Sequence, residues 1–128
     1  MKPRTREHLL RAEENRLIAQ QVISDPASSP GLVRWACVMA FYAAVQYVNA
    51  YLVEQMDTLP GTHEERENAM RLFKTALRPI LPRYLTLKSK SSAARYDSVS
   101  QFTAADVRSL IDNELESVRL AVVNELNP

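Results

Sequence analysis

Apolar residues along the chain recur at spacings of three and four rather than two, and they do so in separate runs divided by proline, glycine and serine. Residues 4–24 read as a polar helix with a thin apolar stripe of Leu10, Leu17, Ile18, Gln21 and Val22. The stretch Asp25-Pro26-Ala27-Ser28-Ser29-Pro30-Gly31 breaks it, since prolines cannot continue a helix. A second helix starts at Pro30 or Gly31 and runs to Asp57 or Thr58. Trp35, Val38, Tyr42, Val45, Asn49, Leu52 and Met56 mark one broad core face on it, widened by Phe41 and Val48. Ala36, Ala40 and Ala44 form a small-residue ridge on another side, where a neighbouring helix can come close.

After Leu59-Pro60-Gly61, Thr62 and Glu65 fit a capping box that opens a third helix, with Ala69, Leu72, Phe73, Ala76 and Leu77 on one face. Pro79 and Pro82 end or kink this helix. A short helix through Tyr84, Leu85 and Leu87 then precedes a polar stretch, Lys88–Ser92. Thr103-Ala104-Ala105-Asp106 opens the last helix, whose Val107, Leu110, Ile111, Leu115, Val118, Val122 and Leu126 are cleanly amphipathic. The fold class predicted is all-α: an antiparallel bundle of four main helices plus a short broken helix, in one domain over residues 1–128.

Composition supports this. The chain has 128 residues, 46% hydrophobic and 24% charged, which is enough to bury a core and too apolar for wholesale disorder. Two glycines are too few for a strand-rich fold with many tight turns. The single Cys37 cannot form an intrachain disulfide, and the charged N-terminal segment lacks the apolar run of a secretory signal, so the cytoplasm is the expected compartment. Trp35–Val53 carries no charge over 19 positions, long enough to span a membrane. Gln46 and Asn49 sit in its middle, however, and Tyr42, Tyr47 and Tyr51 are spread through it rather than belted at its ends. The other helices also need an apolar partner, so a core helix is predicted and no membrane contact.

A net charge of +1 conceals an uneven distribution. Residues 68–96 hold seven basic groups and no acidic one, whereas residues 35–67 and 97–128 each carry a net −4. Arg71, Lys74 and Arg78 fall at i, i+3 and i+7 and therefore share one helix face. Arg83, Lys88, Lys90 and Arg95 follow, interleaved with serines that can bond phosphate oxygens. These seven are the candidate nucleic-acid or phosphate contacts; pairing with the acidic segments is the competing account.

The long helix, Trp35-Ala36-Cys37-Val38-Met39-Ala40-Phe41-Tyr42-Ala43-Ala44-Val45 with Val48-Asn49-Ala50-Tyr51-Leu52, resembles the second helix of HEPN domains. Thr62-His63 at a helix start, Tyr84 and Leu87, and Ser92-Ala93-Ala94-Arg95-Tyr96 recur in similar order in HEPN-like proteins, so the resemblance covers about residues 8–125. It implies a small helical bundle, commonly dimeric, of a kind found in RNA-cleaving toxins, defence systems and partners of nucleotidyltransferases. Catalytic members share an Arg-x4-6-His motif that builds a composite ribonuclease site from two subunits. Here His8 follows Arg4 and Arg6 too closely, and no arginine nearer than Arg34 precedes His63, so the motif is absent.

The expected function is therefore a non-catalytic or degenerate HEPN-like binding or accessory protein. Its candidate partners are a second copy, RNA or a nucleotide, and a protein from a neighbouring gene. Trp35, Phe41, Val48 and Tyr51 are the candidate interface residues, as the surplus apolar surface of the long helix. Two alternatives stand beside this: a ribonuclease with an atypical composite site, and a purely structural protein partner. For catalysis the weak candidates are His63, Arg66, Arg95 and Tyr96. A histidine at a helix start with an arginine one turn on suits acid–base chemistry or phosphate binding, although a capped, solvated helix end explains the same residues. His63 and Glu67, at i and i+4, supply only two metal ligands, so neither a metal nor a cofactor is expected. No nucleophile elbow, phosphate loop or zinc spacing is present in the sequence.

Overall fold

The computed structural model describes residues 1–96 and 102–127. Its helices are α1 (Pro3–Ser24), α2 (Pro30–Met56), α3 (His63–Leu72), α4 (Leu81–Tyr96), α5 (Ala104–Ser109) and α6 (Glu116–Leu126). A π turn over Leu110–Leu115 joins α5 to α6 into one continuous rod, giving five helical rods, and no strand occurs among the described residues. Leu110 and Leu115, five residues apart, are both buried, which the wider turn allows and a regular α-helix would not favour.

Local signals account for the helix starts. Ser29 caps α2 by accepting from Leu32 N–H at 3.2 Å, with Pro30 in the first turn, where its missing N–H costs nothing. At α3, Thr62 accepts from Glu65 N–H at 3.1 Å, but the Glu65 carboxylate accepts from Gly61 N–H (2.7 Å) rather than closing the box on Thr62. Thr103 and Asp106 make the full reciprocal box at α5.

Helix α2 is the axis of the bundle. The Lys2 N–H and the Thr5 hydroxyl both donate to Glu54 at 2.9 Å, and His8 Nδ1 donates to Gln46 at 2.6 Å, so α1 runs antiparallel along α2. Helix α4 also runs back along α2: Tyr84 meets Phe41, while Ala94, Arg95 and Tyr96 reach Gly31, Arg34 and Trp35. Arg108 donates to the Ile23 carbonyl at 3.2 Å and Leu126 gathers with Met1 and Leu9, so the last rod is antiparallel to α1. The result is an up-down-up-down bundle with the short α3 inserted between α2 and α4. Sheathed in this way, α2 is long and apolar enough for a membrane span, yet 83% of its apolar window is buried inside the protein.

Four sequence readings are corrected. On α1 most of the expected stripe faces outward: Leu10 is 65% exposed, and Leu17 and Ile18 are exposed too; Val22 is half-buried against the core, while Thr5, His8, Ala12, Ala19 and Ile23 are buried. Small residues won that face because α1 lies close to α2, where Ala36, Ala40, Ala43 and Ala50 share a helix side with Tyr47. On α2, Trp35, Tyr42 and Met56 are exposed, so they are not core. Helix α3 stops at Leu72, which is 70% exposed, rather than continuing to Pro79. Phe73 caps it, and its carbonyl accepts from both Leu77 N–H (3.1 Å) and Arg78 N–H (2.9 Å) across a non-helical turn. Lys88–Ser92, read as a polar stretch between elements, is the middle of α4.

The close α1–α2 contact sets a test. In urea unfolding, Leu10→Glu leaves stability within about 0.5 kcal/mol, whereas Ala12→Leu lowers it by about 1–3 kcal/mol by overpacking. The stripe read from the sequence gives the opposite order.

Candidate functional site

The first turn of α3 lies over the middle of α2. His63 and Arg66, three residues apart on one helix face, meet at 3.1 Å, with Arg66 Nη1 donating to His63 Nδ1. Arginine has only donors, so Nδ1 must be the acceptor, and the imidazole is the neutral Nε2–H tautomer. Arg66 is anchored from below by Asn49 on α2, whose side-chain oxygen accepts from Nε at 2.8 Å. The buried polar Asn49 is thus satisfied by Arg66 and supports the cluster above it.

The floor is aromatic. The Phe41 ring sits 5.6 Å from His63, 5.4 Å from Tyr84 and 5.7 Å from Tyr42, centroid to centroid. Tyr84 is wholly buried, and its hydroxyl, in the field of Arg66, has no hydrogen bond of acceptable geometry. Burial pushes its pKa up to about 12.

Helix α4 supplies the other wall. Lys88 and Arg95 are seven residues apart and share one side of it, whereas Arg83 and Lys90 share another. Lys88 pairs with Glu67 at 2.6 Å. Arg95 donates to the Tyr42 hydroxyl at 3.3 Å, and its guanidinium carbon lies 4.8 Å from the Tyr96 ring centre. Among the described residues, no ion pair includes Arg66 or Arg95. Among the described residues the cluster is thus three cations, Arg66, Lys88 and Arg95, against the single carboxylate of Glu67.

That imbalance acts on His63. Its pKa lies below the ordinary 6.5, first because the ring is partly desolvated and then because Arg66, Lys88 and Arg95 disfavour a further positive charge; Glu67 opposes them. A neutral imidazole beside a fixed guanidinium can accept a proton, or hold an anion's oxygen through its Nε2–H.

The structure therefore brings His63, Arg66 and Arg95 together, with Tyr96 at the edge, and it divides the seven-residue basic block. Arg71 bonds to Asn68 at 3.0 Å near the end of α3. Lys74 and Arg78 lie beyond that helix, so the shared Arg71–Lys74–Arg78 face does not form. Lys90 lines a different hollow with Asp106, on the α5 side, and Arg83 shares its side of α4. Only Lys88 and Arg95 of the seven belong to the cluster. Of the interface candidates, Phe41, Val48 and Tyr51 are at most 6% exposed and are core, which leaves Trp35 as the one available to a partner. Sequence reasoning missed Tyr42 as a site residue because its spacing matched the core face. Among the described residues no three metal-ligating side chains gather, and Glu67 already serves Lys88.

Titration of His63 followed by NMR gives a midpoint below 6.5, and Arg95→Gln moves it upward. Because the folded value is depressed, this histidine's contribution to stability is complete above pH 6.5. It is lost as pH falls through the folded midpoint, where the unfolded chain has already taken the proton. A midpoint at or above 6.5 contradicts the arrangement.

Comparison with known protein families, with curated proteins and with solved structures finds no match for this chain. What the cluster does follows from its own residues.

Proposed function

We propose that the protein is a HEPN-like helical binding module that holds phosphate groups of RNA or of a nucleotide at the cation cluster between α3 and α4, and that it does so without cleaving them. The observation that carries this reading is Arg66. It is only 8% exposed, it carries a guanidinium cation, and its two hydrogen bonds go to neutral partners, Asn49 and His63. A buried charge with no counter-charge is unfavourable, and an anion that also meets Lys88 and Arg95 offsets that cost. Phosphate matches the donor set: a planar guanidinium held in place by Asn49, a neighbouring Nε2–H, and the cations of Lys88 and Arg95 beside them.

The resemblance to HEPN domains points to RNA among phosphate ligands. A homodimer accompanies the same resemblance. With Phe41, Val48 and Tyr51 in the core, Leu17 and Ile18 on α1 and Leu120 on α6 are among the exposed apolar side chains left for such a pairing to cover.

A nuclease reading has one observation in its favour, the neutral His63 beside Arg66, which is the state a general base requires. The second histidine does not assist it: His8 is buried on α1 and bonded to Gln46.

Fluorescence anisotropy with labelled RNA decides between these. Binding weakens as salt rises, with a slope of about −0.7 in log K against log salt for each phosphate neutralised. Arg95→Glu and Lys88→Gln weaken it, Arg71→Glu with Arg78→Glu changes it far less, and the RNA stays intact. Binding that is indifferent to Arg95→Glu and to salt removes the reading. Cleavage abolished by His63→Ala replaces it with the enzymatic one.

A further inference from the structure

Beyond the cation cluster, the start of α2 and the end of α4 enclose a hollow of about 290 Å³ lined by Gly31, Arg34, Trp35, Val38, Arg95 and Tyr96. Two large aromatic side chains stand at its rim almost unsupported: Trp35 is 59% exposed and Tyr96 73%. Core packing does not explain either, and rings this exposed in a soluble bundle mark a contact surface. Among the described residues no carboxylate lines the hollow, while two arginines do. Arg95 belongs to both places. It contacts the Tyr96 ring at 4.8 Å and donates to Tyr42, and it also bears on His63 in the cluster.

We infer that this hollow stacks an unpaired nucleobase on Trp35 and Tyr96, making single-stranded nucleic acid the ligand whose phosphates the α3–α4 cluster holds. The inference rests on the phosphate reading of that cluster and adds the class of polymer. A flat ring system with no acceptor-rich requirement suits aromatic faces, and arginines beside it suit the flanking phosphates. Bases within a duplex are stacked and paired and cannot enter such a hollow, whereas loops, bulges and free ends can. The volume, at the lower end of the roughly 300–1,000 Å³ usual for small-molecule sites, fits one ring system rather than a helix groove. Along α4, Lys88, Ser89, Ser92 and Tyr96 lie on one open face, which leads from the Lys88 end of the cluster to the hollow.

Trp35 is the only tryptophan in the chain, so its emission reports on this hollow alone. The test titrates the intact protein with short single-stranded oligouridylate and oligoadenylate, with the DNA counterparts, with a duplex, and with inorganic tripolyphosphate, following Trp35 emission and labelled-oligonucleotide anisotropy together. Single strands quench Trp35 on binding, and tripolyphosphate binds without comparable quenching. Trp35→Leu weakens single-strand binding by about five- to 100-fold while leaving tripolyphosphate affinity within about twofold, and Tyr96→Ala weakens single-strand binding by a similar factor. Both positions are exposed, and circular dichroism of the variants establishes that they fold. The ribo and deoxy arms show whether the 2′-hydroxyl is read. If single strands bind without quenching and Trp35→Leu binds them equally well, or if the duplex binds as tightly as the strand, the base-stacking inference is overturned and the phosphate reading stands. If neither tripolyphosphate nor any polynucleotide binds, both readings fall.

Discussion

Helix α2 buries sixteen of its 27 residues, which obliges the rest of the chain to surround it. An apolar rod of this kind is unstable in water by itself, and its stability comes from what covers it. Helices α1, α4 and the α5–α6 rod provide the sheath, each placed against a different side. Alanines on the α1 side allow a close approach, while Phe41, elsewhere on α2, packs its ring against Tyr84 of α4. The burial of α2 thus decides both the number of helices and how close each one lies.

Apolar burial has no direction, so polar side chains on α2 fix where its neighbours sit. Gln46 holds His8 and Tyr47 takes Glu13, which together with the Glu54 contacts set the register of α1. Asn49 holds Arg66 and so positions α3, and Tyr42 accepts from Arg95 on α4. Each of these groups has its partner on a different turn of a neighbouring helix, and a slip of one residue would leave a donor or acceptor unmatched. The cluster around His63 is a consequence of the same arrangement. Its anchor, Asn49, belongs to the core helix, and its aromatic floor, Phe41, is a core residue.

Charge placement shows where reading along the chain loses its force. The acid-free segment of residues 68–96 is real, but it does not make one basic surface. The turn after Leu72 separates Arg71 from Lys74 and Arg78, and the period of α4 sends Lys88 and Arg95 one way and Arg83 and Lys90 the other. Lys88 is partly neutralised by Glu67 from α3, a contact between residues 21 apart. What remains distinctive is smaller and better defined: a nearly buried Arg66 with neutral partners, and exposed rings beside Arg95.

The sequence by itself determined the all-α class, the extents of α1 and α2, the caps at Thr62 and Thr103, and the buried face of the last rod from Val107 to Val122. Those features depend on local propensity, on capping and on a pattern repeated within one helix. Tertiary structure alone decided which face of α1 is inside, that Trp35 and Tyr42 look outward while Phe41 and Val48 do not, and that His63 meets Arg66 above Asn49. The physical reason is the same in each case. A helix that is apolar around most of its circumference gives periodicity little with which to tell its faces apart, and a polar helix packed through alanines hides its inner face among small residues. Only the positions of the neighbours distinguish core from rim, and those positions come from contacts between residues far apart in the chain.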